Sequence, residues 1–143
     1  LSTYDGATGG KTGFTKKAGR CLVSSAKRDN LELICVVLNE QNHYGVTKSL
    51  FDDAFSKFTL VKLIDASKFD YSLPNKDKSR YYKLKIENDF ICPISKDEKI
   101  EIQIDLPKYL KSMPTSGQKV GEIKIYASKQ LIFSQNIYTL IND

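Results

Sequence analysis

The residues best suited to chemistry lie near the start of the sequence, in a segment rich in Gly and Thr at positions 5–15. One interpretation is a phosphate-binding loop, whose pattern G-x-x-x-x-G-K-[ST] requires four residues between its two glycines. Here Gly6 and Gly10 enclose only three residues, and Asp5 stands where the first glycine would have to be. A strand, and not the required helix, is predicted to follow. The spacing therefore argues against nucleotide binding.

The second interpretation rests on the Lys-Thr-Gly triplet at residues 11–13. Lys-Thr-Gly is the third motif of the serine acyl-transfer enzymes that include penicillin-binding proteins and class A β-lactamases. A strand edge offers backbone N–H and C=O groups to an extended peptide, while Lys11 and Thr12 supply a cation and a hydroxyl for a carboxylate. Gly13 omits a side chain where an acyl group must approach closely. Three common residues form a weak signal by themselves, because a surface turn with an ordinary lysine gives the same letters.

The elements around this triplet follow from the pattern of apolar residues. Residues 1–15 are expected to form a loop leading into a strand. Residues 18–26 and 31–38 are apolar, β-branched runs separated by a polar turn at 27–30, which predicts a β-hairpin. The apolar residues at 36–38 are contiguous, so the second strand is expected to be buried on both faces.

A helix is predicted after a loop at residues 39–45. From that point apolar residues recur at helical spacing, with charged residues on the opposite side, which indicates an amphipathic helix that packs on the hairpin. Its predicted apolar face consists of Val46, Leu50, Phe51, Ala54, Phe55 and Phe58.

The hydrophobic period becomes two after about residue 60. The predicted strands cover residues 82–86, 100–106, 120–125, 131–133 and 137–140, with turn residues such as Cys92-Pro93 as separators. Short alternating strands at this spacing predict a small all-β sandwich. The expected domains are therefore residues 1–60 and residues 61–143.

The segment around the triplet closely resembles the D-alanyl-D-alanine carboxypeptidases, the low-molecular-mass penicillin-binding proteins of the serine DD-peptidase family. The resemblance rests on Asp5-Gly6, Lys11-Thr12-Gly13-Phe14-Thr15, Ala18-Gly19, Leu22-Val23-Ser24-Ser25-Ala26 and the apolar run 33–38. The string from Ser116 to Gly121 looks like the family's C-terminal β-domain. The resemblance implies an α+β part of a penicillin-binding/β-lactamase-like catalytic domain, with strands plus one helix, followed by a small all-β sandwich.

The resemblance also implies roles for the residues of the triplet. Lys11 would bind the substrate's terminal carboxylate and polarise the site, with Thr12, Gly13 and Thr15 as further substrate-binding residues. The backbone N–H of Phe14 would be one of two oxyanion-hole donors. The implied partners are a peptidoglycan stem peptide ending in D-Ala-D-Ala and, as inhibitors, β-lactams. No metal and no cofactor are implied, and the implied location is extracytoplasmic, in the cell envelope.

The sequence departs from the family in what precedes the triplet. The family's Ser-x-x-Lys nucleophile motif and its Ser-x-Asn motif both lie N-terminal to Lys-Thr-Gly, whereas Ser25 and Ser49 follow it. We therefore expect this chain to be inactive alone. A membrane contact is expected only through a C-terminal anchor that this sequence does not show. The alternative function is a non-catalytic cell-wall binding or spacer module.

Charge and cysteine usage exclude other classes. The net charge is +5, but Lys and Arg alternate with Asp and Glu along the chain, which argues against nucleic-acid binding. Three cysteines and one histidine at wide spacings make a zinc site improbable. We expect free thiols, because Cys21 and Cys35 become direct cross-strand neighbours only if Ala26 pairs with Asn30. We also expect the hairpin to expose apolar surface, leading to self-association or poor order.

Overall fold

The computed structural model of the chain describes residues 4–140. The chain divides into two compact units. One comprises the chain up to Val61 together with Pro93–Lys96, and the other comprises Lys62–Cys92 together with the chain from Asp97 onward. Within residues 4–140, no helix combines the length and the apolar character needed to cross a membrane.

Among the described residues, three antiparallel strands and one helix make up most of the first unit. They are β1 (Ala7–Thr15), β2 (Gly19–Arg28), β3 (Leu31–Val37) and α1 (His43–Lys57). The strand order is β1-β2-β3, so β1 lies at one edge of this sheet. The loop that composition predicts over residues 1–15 is therefore wrong from Ala7 onward, whereas the strand at Lys11-Thr12-Gly13 that the family resemblance implies is present.

The predicted hairpin is confirmed as β2 and β3, with a tight turn. Asp29 and Asn30 have φ angles of 46° and 66°, and Arg28 pairs with Leu31. Two residues with positive φ match the right-handed twist of the flanking strands, and Asp and Asn adopt that region more readily than most residues.

The register of this hairpin decides the position of the cysteines. Ala26 pairs with Leu33, which places Cys35 opposite Ser24 and directs Cys21 to the other face of the sheet. Cys21, Cys35 and Cys92 are all free thiols, as expected.

Helix α1 packs on β2 and β3 and covers one face of the sheet. The core between them contains Tyr4, Ala26, Cys35, Val37 and Phe51. The prediction that residues 36–38 are buried on both faces is wrong: Val37 is 7% exposed, whereas Val36 is 56% and Leu38 is 68% exposed. The helix covers only one face, so alternate side chains point away from it.

The helix begins three residues before its predicted start. Val46, Phe51 and Phe55 of the predicted face do pack in or against the core, but the buried face is shifted from the predicted one. The Asn42 side chain accepts a hydrogen bond from the Gly45 N–H and caps the helix. The buried residues are His43, Thr47 and Phe51. Leu50, which was expected on the buried face, is exposed.

Seven strands follow the helix within the described residues. They are β4 (Phe58–Ile64), β5 (Ser72–Pro74), β6 (Tyr81–Lys85), β7 (Phe90–Ser95), β8 (Ile100–Asp105), β9 (Lys119–Ala127) and β10 (Gln130–Leu140). They form a five-stranded sheet of order β5-β6-β10-β9-β8 and a two-stranded sheet of β4 and β7. Ile64, Ile125 and Ile137 share one buried core, and the ring of Phe90 stacks on that of Phe133 with centroids 4.1 Å apart. These contacts join the two sheets as a small all-β sandwich.

Two strand predictions in this region need correction. The segments 131–133 and 137–140 belong to one strand, β10, because the polar residues between them continue the ladder with β9. Cys92-Pro93, predicted as a separator, lies inside β7. Within the described residues β7 pairs on one side only, and a proline without an N–H is tolerated on such an edge.

Candidate functional site

The Lys-Thr-Gly triplet occupies the middle of β1. Lys11 pairs with Val23, Thr12 with Leu22 and Gly13 with Cys21. In the part of the chain that the structure describes, β1 pairs only with β2, so its outer edge carries no partner strand. On such an edge, alternate residues direct their N–H and C=O groups outward. The triplet therefore lies beside free backbone donors and acceptors.

Lys11 is exposed and carries an uncompensated charge. Its Nζ donates a hydrogen bond to the Thr12 carbonyl oxygen at 2.8 Å. Over residues 4–140, Lys11 forms no ion pair with a carboxylate. Because side chains alternate along a strand, Lys11 and Thr12 point to opposite faces. A ligand that contacts both side chains must therefore lie at the strand edge, where the two faces meet.

Gly13 and Thr15 have different surroundings: Gly13 lies on an open surface, whereas Thr15 makes a structural contact. A Cβ atom at Gly13 would meet no atom within 4 Å, so no packing within the described residues requires a glycine there. The Thr15 Oγ1 accepts a hydrogen bond from the Ala18 N–H at 2.9 Å, which holds the turn between β1 and β2. Thr15 thus positions the hairpin, while Gly13 leaves the strand surface clear.

Two shallow cavities of about 350 and 450 Å³ flank β1, and Tyr44 lines both. The smaller cavity is lined by Thr12, Gly13, Phe14, Arg20, His43 and Tyr44. Sequence reasoning assigned no role to Arg20, His43 or Tyr44. A β1–β2 hairpin would have placed Arg20 opposite Phe14, whereas no sequence signal brings the start of α1 to this strand.

A hydrogen bond and a cation–π contact hold Tyr4, which lies just before β1. The Tyr4 Oη donates to Asp52 Oδ1 at 2.8 Å, and the Arg28 guanidinium lies 4.9 Å from the ring centroids of Tyr4 and Phe55. Burial, followed by the hydrogen bond to Asp52, raises the pKa of Tyr4 to about 12. The Tyr4 hydroxyl therefore stays protonated at neutral pH. It supports the structure and does not act as a general base.

Two Ser-x-x-Lys strings occur in the sequence, and neither has the geometry of a nucleophile motif. Ser24 and Lys27 lie on β2, where side chains three residues apart point to opposite faces. Ser24 is 2% exposed and its hydroxyl has no hydrogen-bond partner. Ser116 lies in a turn that leads into β9 at Lys119. Across residues 4–140, no group of three or more His, Cys, Asp or Glu converges as metal ligands.

Comparison with known proteins identifies two family regions. Residues 1–42 match the D-alanyl-D-alanine carboxypeptidase family, and residues 58–142 match the C-terminal domain of penicillin-binding protein 5.

Solved structures of related proteins match the chain across both of these regions. The D-alanyl-D-alanine carboxypeptidase DacD from Francisella tularensis is 29% identical with a TM-score of 0.72, and the match covers 99% of this chain and 37% of that one. Penicillin binding protein 5 from Haemophilus influenzae is 26% identical with a TM-score of 0.62, covering 91% and 40%. Penicillin binding protein 6B from Escherichia coli, at 22% identity, a TM-score of 0.57 and coverage of 88% and 32%, shows likeness of fold alone.

The chain thus spans about two fifths of these relatives. The likenesses confirm the predicted fold class, a part of a penicillin-binding/β-lactamase-like catalytic domain followed by an all-β sandwich. The chain belongs to the D-alanyl-D-alanine carboxypeptidase family, the low-molecular-mass penicillin-binding proteins, and corresponds to their C-terminal portion.

Proposed function

We propose that this chain supplies the substrate-binding strand of a serine-type D-Ala-D-Ala carboxypeptidase, which trims the terminal D-alanine from peptidoglycan stem peptides and is acylated by penicillins. Residues 1–60 would be the C-terminal part of the catalytic domain, and residues 61–143 the β-sandwich domain. The observation that carries the proposal is the outer edge of β1, which has no partner strand within residues 4–140, with Lys11, which has no ion pair in that range, beside the clear surface at Gly13. Because peptidoglycan is the substrate, the parent enzyme would work outside the cytoplasm.

The substrate peptide would bind as an additional strand on the outer edge of β1. Backbone hydrogen bonds would supply affinity, as in other cases of strand addition. The Lys11 ammonium would exchange its hydrogen bond to an exposed carbonyl for the terminal carboxylate of the peptide. The Thr12 hydroxyl would donate to the same carboxylate at the strand edge, and charge-assisted hydrogen bonds of this kind are about twice as strong as neutral ones.

The chemical step would use a serine from another segment of the parent protein. Its hydroxyl would attack the carbonyl of the terminal peptide bond, and the Phe14 N–H would donate to the resulting oxyanion together with the N–H of the nucleophile. Collapse would break the C–N bond, pass the serine's proton to the leaving amine and release D-alanine. Water would then hydrolyse the acyl-serine ester and regenerate the hydroxyl.

The proposal is tested on Lys11 in the complete enzyme. Lys11→Ala should slow acylation by both peptide and labelled penicillin by about tenfold to a hundredfold, since a hydrogen bond to a charged group contributes about 1.5–3 kcal/mol. Lys16→Ala, which removes an exposed cation from the β1–β2 turn, is the matched control and should leave acylation unchanged. Equal rates in wild type and Lys11→Ala would show that Lys11 is not part of the site.

The isolated chain gives a second test. Neither of its Ser-x-x-Lys strings has the required geometry, so the 143-residue protein should release no D-alanine and form no covalent adduct with penicillin. Stoichiometric labelling of this chain would contradict the proposal. A complete enzyme that binds peptidoglycan without any acylation would instead support the alternative, a non-catalytic binding or spacer module.

A further inference from the structure

One end of the five-stranded sheet is formed by two segments that are distant in sequence. The connection between β5 and β6 and the connection between β8 and β9 meet where Asn75 bridges Leu110. The Leu110 N–H donates to the Pro74 carbonyl at 2.8 Å, and the Leu110 side chain is buried. Between them the two connections line a groove of about 710 Å³. Both segments are therefore held together by the fold.

This surface concentrates positive charge. Residues 75–81 and 106–118 contain five basic side chains and one carboxylate, Asp77. Hydrogen bonds from the Ser79 Oγ at 2.7 Å and the Ser79 N–H at 3.0 Å occupy Asp77 and lower its pKa. Over residues 4–140, none of the five cations forms an ion pair. The five are Lys76, Lys78, Arg80, Lys108 and Lys111, and all are exposed.

An apolar side chain projects from the same surface. Met113 lines the groove together with Lys111 and is 75% exposed. Cations around a projecting apolar side chain are typical of protein surfaces that lie in the interface of a lipid bilayer. A surface that reads only a soluble polyanion would gain nothing from an exposed methionine. We call the five cations with Met113 the basic end.

We propose that the basic end binds directly to an anionic lipid bilayer, with its cations at the headgroup phosphates and Met113 at the boundary with the acyl chains. The groove between Lys76, Arg80 and Lys111 has the charge and a hydroxyl neighbour, Ser112, that suit a phosphate ester. This contact needs no additional anchor segment, and it is independent of the function proposed for β1.

The test is sedimentation of the full 143-residue chain with lipid vesicles. The vesicles consist of phosphatidylcholine, either pure or with about one third phosphatidylglycerol, an anionic lipid that provides the negative surface potential. Wild type should bind the anionic vesicles, release partly at high salt and ignore pure phosphatidylcholine. Each cation near such a surface contributes about fivefold, so Lys76→Glu/Lys111→Glu should lower the partition coefficient by about 25-fold or more.

The matched control is Lys99→Glu/Lys129→Glu, which makes the same change in net charge at the opposite end of the sheet, where the Ser128 N–H donates to the Lys99 carbonyl. This variant should bind much more tightly than Lys76→Glu/Lys111→Glu. Met113→Ser should remove the binding that persists at high salt. Circular dichroism checks that the variants fold. If Lys76→Glu/Lys111→Glu does not fold, Lys76→Gln/Lys111→Gln takes its place.

Three outcomes would overturn the proposal. Equal losses in the two charge-reversed variants would show that net charge alone attracts the chain. Equal binding to pure phosphatidylcholine would show unspecific adsorption. Binding of soluble polyphosphate in place of vesicles, lost in Lys76→Glu/Lys111→Glu, would show that the basic end recognises an anionic polymer.

Discussion

The buried hydroxyl of Thr139 on β10 helps to hold the β8–β9 connection, and its removal should destabilise the second unit. The Thr139 side chain is 0% exposed, and its Oγ1 donates to the Thr115 carbonyl at 2.6 Å and accepts from the Gln118 N–H at 3.1 Å. The Thr139 N–H also donates to the Gln118 carbonyl at 3.0 Å, and the Gly117 N–H donates to the Thr139 carbonyl at 3.0 Å. Thr139→Val keeps the shape of the side chain and removes only the hydroxyl bonds.

The magnitude follows from what remains after the substitution. The Gln118 N–H still donates to the Thr115 carbonyl at 3.2 Å, so neither backbone group is left without a partner. Leaving a buried group unpaired costs about 1–3 kcal/mol, and partial compensation here places Thr139→Val near 1–2 kcal/mol. For a unit of this size each kcal/mol lowers the melting temperature by about 4–8 °C.

The measurement is thermal and urea unfolding followed by circular dichroism, with Thr47→Val as the matched control. Thr47 is also 0% exposed, but its hydroxyl has no hydrogen-bond partner among residues 4–140. Valine there removes an unpaired polar atom and should be neutral or stabilising by up to about 1 kcal/mol. Equal losses of stability in Thr47→Val and Thr139→Val would refute the reasoning, because the hydrogen bonds of the Thr139 hydroxyl would then contribute nothing to stability.

Three further predictions concern the surface and the thiols. A hydrogen bond from Lys62, followed by one from the Ala66 N–H, lowers the pKa of Asp89. The ionised Asp89 therefore stabilises the fold above the usual carboxyl pKa of about 3.9, and this stabilisation is lost as pH falls through the lowered pKa. An NMR titration midpoint at or above the usual value would contradict this. The exposed face formed by Val23, Ile34 and Val36 should make the chain self-associate in light scattering, whereas a 58–143 truncation, which keeps β4 whole, should remain monomeric; a monomeric full chain would show that this face needs no cover. Thiol titration in denaturant should count three reactive groups, and a count of one would reveal a disulfide.

The sequence predicted elements wherever a local signal existed. The polar residues before Leu31 predicted a turn, and Asp29 and Asn30 form it with positive φ. The helix followed from its apolar period, and Val46, Phe51 and Phe55 face the core as predicted, but the polar residues His43 and Thr47 are buried as well. A period-based argument counts only apolar residues, so it selected Leu50 in their place.

The site strand could not be predicted in the same way. β1 has one partly buried residue, Ala7, and three glycines, so it shows no alternation of apolar and polar residues, although Thr8, Thr12 and Thr15 are β-branched. Its strand conformation comes from the ladder with β2, a contact between segments that the sequence does not show as a pair. The basic end escaped notice for a related reason, because Lys76 and Lys111 come together only through the bridge between Asn75 and Leu110.

β10, the last strand among the described residues, is the middle strand of its sheet. It lies between β6 and β9, and it pairs Tyr138 with Lys85 across more than fifty intervening residues. During synthesis from the N-terminus, β6 and β9 each have an unpaired edge until β10 has been made. Such long-range pairing makes folding slow, and unpaired edges attract other chains in the meantime. A chain without β10 would lack the centre of the sheet and keep two separated edges, so the sandwich cannot form before β10 is synthesised.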